Sequence, residues 1–127
     1  MIQSGSYLNI IDNSGAKIIY CIKVSKGYRR RYASSGDLIT ASIKDIRKRN
    51  RLTSKVKKGD VVKALIIRTK ATITSRKNEL VNFFENSAVL VTKQNKLIGT
   101  RIFGAVPKRF RYTRFLRVAS LCSGFVK

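Results

Sequence analysis

Between Val61 and Ile67 the chain reads VVKALII, apolar at both odd and even positions apart from Lys63. The run is short and rich in β-branched residues, which favours strand over helix. Apolar side chains on both faces are what a central or barrel strand carries. Gly59-Asp60 marks a turn before it, because glycine takes positive φ cheaply and aspartate bonds its own backbone nearby. Four more runs read as strands: YLNII (7–11), KIIYCIKV (17–24), LITASIK (38–44) and SAVLVT (87–92). The turn formers of DNSGA (12–16) separate the first two, and ATITS and LVNFF form the arms of a hairpin turning at Lys77-Asn78. Several short strands at close spacing with polar turns predict a small closed barrel.

Two stretches break this rhythm. Residues 45–59, DIRKRNRLTSKVKKG, hold only Ile46, Leu52 and Val56 as apolar positions, too few for a core helix, and read as an exposed loop or ribbon. From Gly99 onward the only proline, Pro107, suits the first turn of a short helix. Tyr112, Phe115, Leu116 and Ala119 follow the i, i+3, i+4, i+7 rule, with Arg111, Arg114 and Arg117 recurring on the other side. Such a helix is stable only with its apolar face docked on the barrel. At 127 residues the chain forms one domain, divided into a barrel with basic loops (1–98) and a helical C-terminal segment (99–127).

Composition changes the picture from fold to partner. Lys and Arg number 28 against 6 Asp and Glu, a formal charge of +22 whose self-repulsion calls for a polyanion in the working form. Nucleic acid comes first and an anionic membrane surface second. A hydrophobic content of 43% excludes a purely disordered basic tail. No apolar run approaches the roughly 20 residues needed to span a bilayer. With no histidine and no CxxC pair, a zinc site is not expected, and Cys21 and Cys122 read as small unpaired hydrophobes. Asp12, Asp37 and Asp60 sit in turn settings, while Asp45, Glu79 and Glu85 offset neighbouring cations. No phosphate loop, GxSxG or metal-ligand pattern is present, so no enzymatic activity, cofactor or small-molecule substrate is expected. The N-terminus has neither a signal peptide nor an Arg-rich presequence, so the expectation is that the protein works where it is made unless a presequence has been removed.

The basic residues recur in three segments: around Arg29, Arg30 and Arg31; across Arg47, Lys48, Arg49, Arg51, Lys55, Lys57 and Lys58, with Arg68 and Lys70 beyond the strand; and from Arg101 to Arg117. Tyr28 and Tyr32 accompany the first, and Phe103, Phe110, Tyr112 and Phe115 the third. Arginine forks match phosphate oxygens and stack on bases, as exposed aromatics do. Repetition outside a separate apolar core favours extended RNA or DNA contact over a targeting patch. A free-standing OB- or SH3-like nucleic-acid-binding protein would show the same features. A membrane-surface protein would need a longer amphipathic helix than residues 112–121 supply.

MIQSGSYLNIIDNSGAK, CIKV, RRYASSGD, VKKGDVVKALIIRTK, NSAVLV and GTRIFG, in this order, closely resemble the universal large-subunit ribosomal protein fourteen family from Met1 to about Leu121. The pattern departs at Lys77-Asn78, where the family has Asp-Gly, at Phe84, where it has aspartate, and at Ala105, where it has proline. The resemblance implies a mainly β protein: a five-stranded β-barrel with a protruding β-ribbon and short C-terminal α-helices. It implies binding to large-subunit rRNA, packing beside large-subunit ribosomal protein nineteen or its counterpart, and an intersubunit bridge to small-subunit rRNA. It further implies that Thr100 and Arg101 lie where a ribosome-silencing factor docks. Combined with the outward arginines, this makes Thr100, Arg101, Arg111, Arg114 and Arg117 the expected bridging and docking surface. The loops around Arg29 to Arg31 and Arg47 to Lys58 would then anchor the protein to its own subunit's RNA. The high basicity and the Lys, Ile, Asn and Ser usage point to an organelle-encoded copy in a mitochondrion, ahead of a plastid or a bacterial cytoplasm.

Overall fold

The computed structural model describes residues 1–50, 52–74 and 80–126. Five strands close a barrel in the order β1-β2-β3-β4-β7. They are β1 (Tyr7–Ile10), β2 (Ala16–Val24), β3 (Leu38–Ile46), β4 (Val61–Arg68) and β7 (Ser87–Val91). Neighbours pair antiparallel except where β1 meets β7 in parallel, Asn9 opposite Ser87 and Ile10 opposite Ala88. Between β4 and β7 the short strands β5 (Ile73–Thr74) and β6 (Leu80–Val81) form an antiparallel ribbon. The turn expected at Lys77-Asn78 lies outside the described residues.

The run in β4 is covered on both faces from Ala64 to Ile67, while Val61 at its start is exposed. Ala64 and Ile66 point into a cluster with Leu8, Ile19, Ile39, Ile43 and Leu90, the barrel interior. Leu65 and Ile67 point the other way, into a second cluster with Val89, Val91, Ile102, Val106, Phe110, Phe115 and Val118. The β4–β7 wall is therefore covered on its outer face by the C-terminal segment. Cys21 belongs to the interior cluster and Cys122 packs at the edge of the outer one; both thiols are free, and burial pushes that of Cys21 upward.

The C-terminal segment departs from the sequence expectation in two ways. It holds two strands, β8 (Ile102–Pro107) and β9 (Cys122–Val126), paired in parallel across a crossover that contains a 3-10 turn (Lys108–Tyr112) and a single six-residue helix, α1 (Leu116–Leu121). Pro107 closes β8 and stands at the N-cap of the 3-10 turn, so a short helix does begin there, 3-10 rather than α. The expected face of Tyr112, Phe115, Leu116 and Ala119 does not form: Phe110, Phe115 and Val118 are buried, while Tyr112 is 74% and Leu116 58% exposed. Thr113 is extended (φ −109°, ψ 167°), so no 3.6-residue period runs across it. Of the two readings of residues 45–59, loop or ribbon, the described residues take the loop. Beyond the end of β3 they make a 3-10 turn (Lys48–Asn50) and further turns, with Val56 buried and Leu52 fully exposed.

Candidate nucleic-acid interface

Two of the sequence signatures meet in one joint. In the DNSG turn, Asp12 is buried; its Oδ1 accepts from Ser14 N at 3.0 Å and from the Ser14 hydroxyl, and its Oδ2 from Leu90 N at 2.9 Å. Asn13 Oδ1 accepts from the backbone of Thr100 (2.7 Å) and Arg101 (3.2 Å), and its amide donates to Thr100 Oγ1 at 2.7 Å. Gly99 permits this approach, because a Cβ there would lie 2.8 Å from that of Asp12. Thr100, expected at a docking surface, therefore has its hydroxyl engaged inside the joint, though the residue is exposed.

The same joint draws in two cations expected at the RNA surface. Arg47 donates to Ile10 O at 2.9 Å and lies 5.8 Å from the Phe103 ring centre, with Arg101 5.7 Å from the same ring. Arg68 is turned inward, its side chain 13% exposed: it donates to Glu85 at 3.0 Å and to Phe103 O, and it fills the space a Cβ at Gly104 would need. Arg47 and Arg68 thus tie the barrel to the C-terminal segment. A buried apolar stretch nearby does not reveal such a role from sequence, since only the partner carbonyls identify it.

The loop between β2 and β3 is organised by Asp37. Its carboxylate, 4% exposed, accepts from Lys26 Nζ at 2.6 Å and from Ser34 N at 3.0 Å, with Arg30 3.7 Å away. Arg30 also donates to Tyr32 O, and Arg109 reaches in to donate to Ser35 O. Nothing in the sequence singles out Arg109, one cation in a run of several, for this contact. Outside this lattice Tyr28, Arg29 and Arg31 are exposed, Arg29 in the left-handed region (φ 55°) with its guanidinium 5.2 Å from the Tyr28 ring centre.

Burial alone would raise the Asp37 carboxyl, but the Lys26 and Ser34 bonds and the charges of Lys26 and Arg30 outweigh it and hold it below the ordinary value. Glu85 is also lowered: the Ser87 and Asn9 bonds and the Arg68 charge exceed its desolvation. A depressed folded pKa gives stability that is complete above the unfolded values, about 3.9 for Asp and 4.3 for Glu, and is lost as pH falls through the folded ones. Unfolding midpoints should therefore hold level from about pH 8 to 5 and drop below about pH 4. Asp37→Asn should flatten that drop; an unchanged acid limb would show that Asp37 contributes nothing to it.

Among the remaining expected contacts, Lys48, Arg49, Lys57, Lys58 and Lys70 are exposed. Lys55 is exposed as well, but its ammonium donates to Ile98 O at 3.0 Å. Arg51 lies outside the described residues. On the C-terminal face Arg101, Arg111, Arg114 and Arg117 are all exposed. Arg111 lies 4.1 Å from the ring centre of Phe125 and Arg114 5.0 Å from that of Phe115, positions that steady a guanidinium without hiding it. The anchoring and docking groups, separate in sequence, adjoin at Phe103.

Among the described residues no three His, Cys, Asp or Glu side chains cluster to hold a metal. The arrangement is a closed barrel with two buried acids, Asp12 and Asp37, and most of its described cations exposed. The family model described as Ribosomal protein L14p/L23e matches residues 1–126, across the barrel, the joint and the C-terminal segment alike. The chain belongs to that family and is a ribosomal protein of the large subunit, in a family whose role is structural rather than enzymatic.

Proposed function

We propose that the protein holds large-subunit rRNA through its basic loops and presents its C-terminal arginines toward the small subunit. One observation carries this reading: the five described acids are all engaged, while most of the described cations stand exposed. Asp12 and Asp37 are buried in hydrogen bonds, Glu85 is held by Arg68, Asn9 and Ser87, Asp60 accepts from Lys57 N, and Asp45 faces Lys17. The outer surface at Arg29, Arg31, Lys48, Arg49, Lys57, Lys58 and Lys70 anchors the protein to its own subunit's RNA. Arg47 and Arg68 support these contacts from the joint. Arg101, Arg111, Arg114 and Arg117 meet small-subunit rRNA at a bridge, and the Thr100–Arg101 turn is where a ribosome-silencing factor docks. A counterpart of large-subunit protein nineteen is the neighbouring protein, and the ribosome is a mitochondrial one, in keeping with the +22 charge and the Lys, Ile, Asn and Ser usage.

A tagged copy should co-sediment with large subunits and crosslink to their rRNA. Replacing Arg101, Arg114 and Arg117 together with alanine should leave incorporation nearly intact and weaken subunit joining. A protein that stays free at the top of the gradient would refute the first assignment. Loss of incorporation with normal joining of the remaining subunits would refute the second.

A further inference from the structure

The loop that Asp37 holds carries more than charge. Beside it lies an open depression bounded by Gln3, Ser4, Lys23, Gly27, Tyr28 and Arg31. Tyr28 is 87% exposed, far beyond what an aromatic needs for packing, and the Arg29 guanidinium stands over its ring. The backbone is committed to this presentation: Gly27 (φ 73°) and Arg29 (φ 55°) both adopt the left-handed region, which a non-glycine residue enters only where surrounding structure holds it. That hold is visible next door, where Arg30 is pinned to Tyr32 O and to Asp37.

We propose that this depression takes a single unpaired nucleotide, its base stacked on the free face of Tyr28 and its flanking phosphates held by Lys23, Arg29 and Arg31. The inference rests on the RNA-binding role proposed above and names the form of RNA this part of the surface takes. A duplex offers no free base face to the ring, whereas single-stranded bases stack on aromatics whatever their identity. Arg29 behind the ring strengthens the platform and supplies charge at the same place. The local excess of cations disfavours a basic or neutral peptide as occupant.

The test uses the whole protein with a short single-stranded RNA carrying 4-thiouridine and with an RNA duplex of equal length. Photocrosslinking followed by peptide mapping should place the thiouridine on Tyr28. Base stacking on an aromatic contributes about 1–3 kcal/mol by alanine substitution, so Tyr28→Ala should weaken single-strand binding by roughly 5- to 150-fold. Tyr28→Phe should keep it, and duplex binding should move less than about twofold in either variant. The salt slope should be unchanged in Tyr28→Ala and reduced by about 0.7 in Arg31→Ala on the single strand. Equal losses on duplex and single strand, or no loss on either, would overturn the nucleotide site while leaving RNA binding standing. Failure of the unsubstituted protein to bind either RNA would overturn the RNA-binding role itself.

Discussion

Raising salt from 50 to 200 mM should weaken binding of the purified protein to rRNA by about 10³–10⁵-fold, taking the rule for six to ten neutralised phosphates on duplex DNA. The size follows from where the charges sit. Each phosphate neutralised by an exposed Lys or Arg releases condensed counterions, and the release becomes less favourable as bulk salt rises. Arg29, Arg31, Lys48, Arg49, Lys57, Lys58 and Lys70 are exposed, and among the described residues none of the seven pairs with an acid. Alanine at Lys57 or Lys58 should each lower the slope of log affinity against log salt by about one. Arg47→Ala should behave differently: its guanidinium serves Ile10 O and the Phe103 ring, so thermal stability should fall with little change in slope. Titrations at four or five salt concentrations decide the matter. A slope near zero would mean that contact is made through apolar and neutral polar groups, against everything the surface displays.

The barrel was readable because its strands obey simple rules. Alternation and β-branched runs locate all five walls within one or two residues at most ends, and the apolar run VVKALII marks a wall covered on both faces over its second half, Ala64 to Ile67. The C-terminal crossover was not readable for an equally physical reason. Tyr112, Phe115, Leu116 and Ala119 have a helical period, but periodicity has meaning only within one continuous helix, and Thr113 interrupts it. The short apolar pieces IFGAVP and CSGFV each lack the length to declare themselves strands; they become strands by pairing with each other in parallel over fourteen intervening residues. Charge was legible in total and not in detail. Arg68 and Lys70 look alike in sequence, yet Arg68 sits among Glu85, Phe103 O and Gly104 while Lys70 faces outward. Which cation works as a brace depends on carbonyls brought near by the fold. The acid at position 12 shows the same limit from the other side: a turn role was evident, its reach to Leu90 was not.

Asp12→Ala should destabilise the protein by about 3 kcal/mol, the largest loss expected from any one polar side chain here. Strand β1 ends at Ile10, and its parallel ladder with β7 continues through the backbone bond from Ile11 N to Ala88 O at 3.2 Å. The chain then turns away at Asp12, and the side chain takes over where the backbone leaves: Oδ2 receives Leu90 N at 2.9 Å. Leu90 is wholly buried, so removing the carboxylate strands its N–H inside the barrel wall with no water to replace the bond. Ser14 loses both its backbone and hydroxyl acceptor at the same stroke, which loosens the turn that presents Asn13 to Thr100 and Arg101. Asp12→Asn keeps one oxygen for one of these two jobs and brings an amide that must find an acceptor, so its loss should be about half as large. Denaturant unfolding reads the difference as a lower midpoint with an unchanged slope, since the barrel that melts is the same size. Asn13→Ala supplies the contrast. It frees the Thr100–Arg101 turn but leaves Leu90 paired, so it should cost less stability than Asp12→Ala. An Asp12→Ala midpoint corresponding to less than about 0.5 kcal/mol of change would refute the idea that this side chain closes the barrel.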